Sequence, residues 1–239
     1  MAAEWAKEIL RRASRRYGYS VYRSTSLPVG LDLIADISRI RRFGSIAVVF
    51  DVGANVGDWT MQYLRHAPAA TFFCFEPTAR TFDTLVRRMN PIARVRAVRR
   101  AVGAAEGVAR LYHHGKSVQH SLVAPEEGSD EMETEEVEVT TVDDFAETHG
   151  IDHIDLLKTD TEGFEGQVLS GAGRMLARQQ IDFVLAEVNF ARGDAGHSDF
   201  ATVTGYLGDR GYQPIGFYDL HVWGPRWFIT YMNVLYTCL

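Results

Sequence analysis

A glycine-rich turn set directly between an apolar strand and a helix constrains this sequence more than any other feature. Phe50-Asp51-Val52-Gly53-Ala54-Asn55-Val56-Gly57-Asp58-Trp59-Thr60 closes the apolar run that begins at Ile46 and opens a helical pattern over Trp59–Arg65. The same texture repeats as Thr71–Glu76 then Thr81–Met89, as Val95–Val98, as Ile154–Thr159 then Val168–Ala177, and as Ile181–Val188. Strand–helix alternation of this kind predicts an α/β, Rossmann-like fold: a mostly parallel sheet covered by helices on both faces. The alternation breaks at Gly107–Thr141, where Val108–His113 and Val137–Val142 read as strands around an acidic, solvated loop, Pro125–Glu136. With no helix between them, Tyr212–Tyr218 and Phe228–Cys238 predict a terminal antiparallel hairpin.

Upstream, Met1–Tyr17 and Leu31–Phe43 read as two helices, so a helical appendage over 1–44 precedes a main domain over 45–239. Hydrophobic residues at 46% and charged residues at 23% are ordinary globular values, which excludes disorder and coiled coil as whole-chain descriptions. Runs such as Ile46–Phe50 and Phe72–Phe75 fall far short of the ~20 apolar residues a membrane span needs. Glu4, Lys7 and Glu8 interrupt any leader-like apolar stretch, so the expectation is a cytoplasmic protein with no membrane span. Net charge is −6, with +5 on residues 1–44 and −11 on the remainder, which argues against nucleic acid as a partner of the main body. The basic N-terminal stretch reads as a solvated helix face, with contact to an anionic surface as the alternative. Cys74 and Cys238 lie in strand-like runs without metal-ligand spacing and read as small buried residues.

Ligands of open α/β sheets bind at the carboxyl ends of the strands, where the glycine turn lies. A dinucleotide turn needs G-x-G-x-x-G so that pyrophosphate can approach the backbone, but here Asn55 stands at the second glycine and the spacing is G-x-x-x-G, from Gly53 to Gly57. Asp51 at the strand end repels a pyrophosphate and favours a cation. Glu76 ends the next strand, 19 residues beyond Gly57, where an acidic side chain accepts from two ribose hydroxyls. An adenosine carrying a cationic, amino-acid-like tail fits this set, and S-adenosylmethionine is such a molecule. The bland alternative is that Gly53 and Gly57 only permit a tight strand-to-helix turn.

The chain resembles the FkbM-type family of S-adenosylmethionine-dependent O-methyltransferases over roughly residues 46–239. The resemblance rests on Asp51-Val52-Gly53-Ala54-Asn55-Val56-Gly57, Phe75-Glu76-Pro77, Ala101-Val102-Gly103, Val139-Thr140-Thr141-Val142-Asp143-Asp144 and Asp155-Leu156-Leu157-Lys158-Thr159-Asp160-Thr161-Glu162-Gly163. The first two blocks are common to many class I methyltransferases, and the last two separate this family. Thr159 and Thr161 depart from it, standing where apolar residues are more usual. The resemblance implies a seven-stranded sheet in the order 3-2-1-4-5-7-6 with strand seven antiparallel. It also implies methyl transfer to a hydroxyl of a sugar, glycan or related natural product, S-adenosylhomocysteine as product, and Val102 among the cofactor-binding residues.

Such transfer is an in-line displacement, aided by a base that takes the hydroxyl proton. Asp160 ends the fourth main strand, Glu162 follows it, and Glu187 ends the fifth, so Asp160 and Glu162 are expected to orient acceptor and cofactor amine with Glu187 as a further carboxylate. Helix capping or ion pairing is the alternative for each, and Lys158 is available to pair with one of them. His120, in the inserted region with His113 and His114, is the candidate general base, with a surface histidine of no catalytic role as the alternative. Converging carboxylates leave a divalent cation such as Mg²⁺ open as a second cofactor, although no metal-ligand series appears. Trp223 and Trp227 in the terminal hairpin suit either a sugar-stacking face or an aromatic core or homodimer seam. An NAD-dependent oxidoreductase and a non-catalytic cofactor-binding module are the competing classes, the former opposed by Asn55 and Asp51.

Overall fold

The structure, a computed structural model, describes residues 2–19, 21, 27–41, 45–113, 120–121, 134–190, 198–224 and 228–239. In chain order the elements are α1 (Ala2–Arg16), α2 (Leu33–Ile40), β1 (Val48–Val52), α3 (Asp58–Tyr63), β2 (Thr71–Phe75), α4 (Ala79–Met89), β3 (Val95–Val98) and β4 (Ala101–Val102). They continue with β5 (Gly107–His113), β6 (His120–Ser121), β7 (Thr134–Thr140), α5 (Val142–Thr148), β8 (Ile154–Thr159), α6 (Glu165–Gly171) and α7 (Gly173–Ala177). The chain closes with β9 (Ile181–Asn189), α8 (Phe200–Gly208), β10 (Gln213–Trp223) and β11 (Phe228–Thr237).

Seven strands form the main sheet in the order β10-β11-β9-β8-β1-β2-β3. Counted along this sheet alone and read from its other edge, that is the expected 3-2-1-4-5-7-6. β1, β2, β3, β8 and β9 run parallel, and β11 runs antiparallel to both of its neighbours, β9 and β10. Every residue of β8 and β9 is buried, as strands covered on both faces require. One face packs Phe50, Phe73, Phe75 and Phe145 with residues of α5 to α8, and the other packs Val49, Phe72 and Leu156 with residues of α2 and α4.

The inserted region is a second sheet of four strands, β4-β7-β5-β6, with its own small core of Ala101, Leu111 and Val137. The strand expected at Val137–Val142 is β7, which begins and ends earlier, because Thr141 caps α5 by accepting from the Asp144 N–H and Val142 is already helical. The acidic segment is strand at its end: Glu135 accepts from the Ala79 N–H at the start of α4 and pairs with Arg99 at 2.7 Å. Its residues 125–133 lie outside the described residues. The helix expected over Val168–Ala177 is two, α6 and α7, interrupted at Ala172 between Gly171 and Gly173. Helix α8 was not anticipated, since Gly205, Gly208, Thr202 and Thr204 are poor helix formers, and it is started by Asp199 accepting from the Thr202 N–H.

Of residues 1–44, α2 belongs to the core of the sheet: Leu33 and Ile37 pack with Ile46 and Val49. Its buried Asp36 accepts hydrogen bonds from the Tyr218 hydroxyl in β10 and the Gly30 N–H, both at 2.8 Å. α1 differs, with its described apolar side chains Trp5, Ile9 and Leu10 exposed.

Candidate active site

The β1–α3 turn shapes the cleft at the carboxyl ends of the main strands. Gly53 (φ 74°), Asn55 (φ 50°) and Gly57 (φ 84°) all take left-handed conformations, which bend the chain sharply out of the sheet. At Gly53 a Cβ would lie 1.9 Å from the Asp160 carbonyl oxygen, so only glycine lets the ends of β1 and β8 approach this closely. At Gly57 it would lie 2.1 Å from the Met89 Cε, where the turn packs on α4.

The turn opens on a cleft lined by Gly53, Asn55, Glu76, Val102, Asp160 and Glu162, all expected at the site, together with Phe75, Arg100, Leu111 and Phe164. It holds about 760 Å³ of atom-free space including its open mouth. The second sheet and its approach supply one wall through Arg100, Ala101, Val102 and Leu111, a contribution sequence reasoning did not foresee beyond Val102. Glu76 is buried at the end of β2, accepting the Asn55 N–H at 3.1 Å with one oxygen and the Thr78 N–H at 2.9 Å with the other. Burial pushes its carboxyl above the ordinary value, against the opposing pull of those N–H groups. Each oxygen retains a lone pair for a ligand hydroxyl.

Asp51 requires a correction. Its carboxylate does not reach the cleft: it is 0% exposed, accepts from the Thr60 hydroxyl at 2.7 Å and pairs with Lys158 Nζ at 3.1 Å. The cation it was expected to attract is thus a lysine of this chain. Lys158, directly across the β1–β8 register from Asp51, also reaches Asp160 at 3.2 Å and donates to the Gly53 carbonyl at 3.2 Å. Burial opposes its charge, but Asp160 and Asp51 outweigh burial and hold the ammonium above its ordinary value. One buried cation therefore joins the interior of β1, the glycine turn and the carboxylate at the mouth of β8.

Glu162 lines the cleft in a left-handed conformation (φ 52°) that a side-chain-bearing residue seldom adopts, ahead of Gly163 (φ 96°). Glu165 lies beneath, fully buried, accepting from the Thr161 N–H at 2.7 Å and its hydroxyl at 3.0 Å. Glu187 does not line the cleft. It sits beside these groups at the end of β9, where burial, then the charges of Asp160, Glu162 and Glu165, push its carboxyl up to about 9. The further carboxylate expected from the sequence is therefore a neutral carboxylic acid at neutral pH. Neutral in the fold and ionised when unfolded, Glu187 contributes stability that is present below pH ~4 and lost as pH rises toward its folded value. Glu187→Gln is expected to leave the melting temperature unchanged near pH 4 and to raise it by several degrees near pH 8, as scanning calorimetry at the two pH values would measure.

His120 stands opposite His113 in the β5–β6 ladder, and its side chain lies outside the described residues, as do loop residues 192–197 and Trp227. The metal-competent group found among the described residues is elsewhere, His153, Asp155 and Asp182 at the opposite end of the sheet, where Arg41 already pairs with both aspartates.

A family model described as Methyltransferase FkbM domain matches residues 51–214. Methyltransferase 1 of Beauveria bassiana (strain ARSEF 2860) is 28% identical over 189 residues, covering 71% of this chain and 74% of that protein. 2-O-methyltransferase NoeI of Sinorhizobium fredii (strain NBRC 101917 / NGR234) is 27% identical over 149 residues, 56% of this chain and 60% of its own length, so the chain spans less than two thirds of it. Among solved structures, M. capricolum TrmK in complex with S-adenosyl-homocysteine is 7% identical with a TM-score of 0.48, covering 83% of this chain and 67% of that one.

Proposed function

Since this chain belongs to the FkbM methyltransferase family, we propose that it transfers a methyl group from S-adenosylmethionine to a hydroxyl of a sugar, glycan or related natural product, releasing S-adenosylhomocysteine. The observation that carries the donor assignment is Glu76, a buried carboxylate on the wall of the cleft, pre-oriented by two backbone N–H groups to accept from a pair of ribose hydroxyls. Phe75, Val102, Leu111 and Phe164 give an apolar wall suited to an adenine ring, and the side-chain-free Gly53 leaves room beside the backbone. NoeI is named for 2-O-methylation, which favours a hydroxyl acceptor.

When bound, the cofactor supplies an electrophilic methyl on a sulfonium. The chain's own residues bind and orient. Lys158 fixes the Asp160 carboxylate at the mouth of β8, and Asp160 and Glu162 then aim the acceptor oxygen and the cofactor amine. Holding reactants in line is worth up to ~7–11 kcal/mol in such reactions, so this positioning is the larger part of the catalysis. Burial and the charges of Asp160, Glu162 and Glu165 favour the protonated, hydrogen-bond-donating form of Glu187. His120 is the proposed proton acceptor from the substrate hydroxyl.

Calorimetry with S-adenosylhomocysteine tests the cofactor. Binding by the wild-type chain is expected, and Glu76→Ala is expected to weaken it about 100-fold or more, the loss of two hydrogen bonds to a charged acceptor. A folded wild-type sample that binds none defeats the reading. Labelled methyl transfer into small glycosides and polyketide-like alcohols, with Mg²⁺ or with EDTA, then identifies the acceptor class and separates an enzyme from a binding-only module.

A further inference from the structure

Helix α1 has two chemically distinct faces and shows both to solvent. Trp5, Ile9 and Ala13 recur every fourth residue, with Leu10 beside them, which gathers them on one side of the helix, and Tyr17 follows its last turn. Trp5 is 70% exposed, Leu10 56% and Tyr17 77%, so this stripe is not spent on the core of the sheet as that of α2 is. Lys7 and Arg15 lie on the opposite side, Arg12 on the border, where it pairs with Glu8 at 3.1 Å, and Arg16 at the C-terminal end of the stripe, all exposed. Five Lys or Arg against two Glu give the helix a net charge of +3 on a chain whose total is −6.

A nucleic acid engages such charges but leaves the aromatic and aliphatic stripe in water. A protein groove takes the stripe but gains nothing from a border of arginines unless it is itself acidic. An anionic lipid surface rewards both halves together: apolar side chains enter the acyl boundary while Lys and Arg meet headgroup phosphates. Fifteen residues at ~1.5 Å rise reach ~22 Å, short of the ~30 Å hydrocarbon core, so the helix lies in the interface without crossing it. No helix among the described residues is long and apolar enough to cross a membrane.

We propose that α1 is a membrane-surface anchor that seats on anionic lipid, with Trp5, Ile9 and Leu10 among the acyl chains and Arg12, Arg15 and Arg16 against the headgroups. The acidic remainder of the chain is repelled by the same surface, so one end of the molecule faces the lipid and the body stands away from it. This anchoring does not depend on the methyl-transfer reading.

Co-sedimentation of the full chain with large vesicles tests it, using phosphatidylcholine alone or phosphatidylcholine mixed with an equal amount of phosphatidylglycerol. The expected result is at least about tenfold stronger association with the anionic vesicles, lost on raising salt. It is also lost in Arg12→Glu/Arg15→Glu/Arg16→Glu and, separately, in Trp5→Ala/Ile9→Ala/Leu10→Ala. Unchanged circular dichroism confirms that both variants fold. Absence of sedimentation with either lipid overturns the proposal, as does equal binding to both. Two further results overturn it: light scattering that shows a dimer which the apolar variant dissociates while vesicle binding persists, and duplex DNA binding that the charge variant abolishes and the apolar variant leaves intact.

Discussion

Lys158→Met is expected to remove about 3–5 kcal/mol of folding stability, the cost of stranding a buried carboxylate whose partner is gone, and to reduce methyl transfer to background. Asp51 is wholly buried, and its remaining partner is the Thr60 hydroxyl, so removing the ammonium leaves a charge with nowhere to go. The loss is a large share of the ~5–15 kcal/mol that holds a domain together. Urea denaturation measures it. Adding Asp51→Asn, which removes the stranded charge, is expected to restore most of the stability. Turnover is not expected to return, because Asp160 still lacks the 3.2 Å contact that holds it. Recovery of both together would mean that Lys158 acts through stability alone.

Gly53→Ala carries the second large effect, expected at about 3 kcal/mol or more together with loss of cofactor binding. Two costs coincide. The left-handed φ of 74° disfavours any side chain, and the new Cβ would lie 1.9 Å from the Asp160 carbonyl oxygen. That carbonyl cannot retreat freely, because the Asp160 N–H donates to the Val52 carbonyl at 3.1 Å and so pins β8 to β1. Gly57→Ala is the informative comparison. Its φ is similar at 84°, but the atoms it meets belong to the flexible Met89 and Leu85 side chains, which can rotate away. Its cost is expected to be about 1–2 kcal/mol. Equal losses in the two variants, measured by denaturant midpoint, would remove backbone contact as the cause.

What the sequence discloses and what it hides separate along a physical line. Local texture is enough for the strands of the main sheet, because β8 and β9 are buried on both faces around the apolar runs Leu156–Leu157 and Phe183–Ala186 and end at polar punctuation. It is also enough for Glu76, whose place at the end of β2 follows from the length of one strand–helix–strand unit. Asp51 was misread because its partner is 107 residues away and meets it only once β1 and β8 lie side by side in register. The proton on Glu187 is hidden for the same reason: burial first, and then the charges of Asp160, Glu162 and Glu165, hold it there, and a linear reading brings none of these together. The wall built by Arg100 and Leu111 depends on how a separate sheet leans on the first, which no periodicity encodes.

The hydrogen bond from Tyr218 to Asp36 joins residues 182 positions apart. A ribosome delivers α2 long before β10. Until β10 emerges, Asp36 has only the local partners, the Gly30 N–H at 2.8 Å and Arg39 at 2.9 Å, together with water. The first helix to join the core is therefore among the last to lock, and a nascent chain halted before β10 would carry the apolar side of α2, Leu33 and Ile37, without its final fastening.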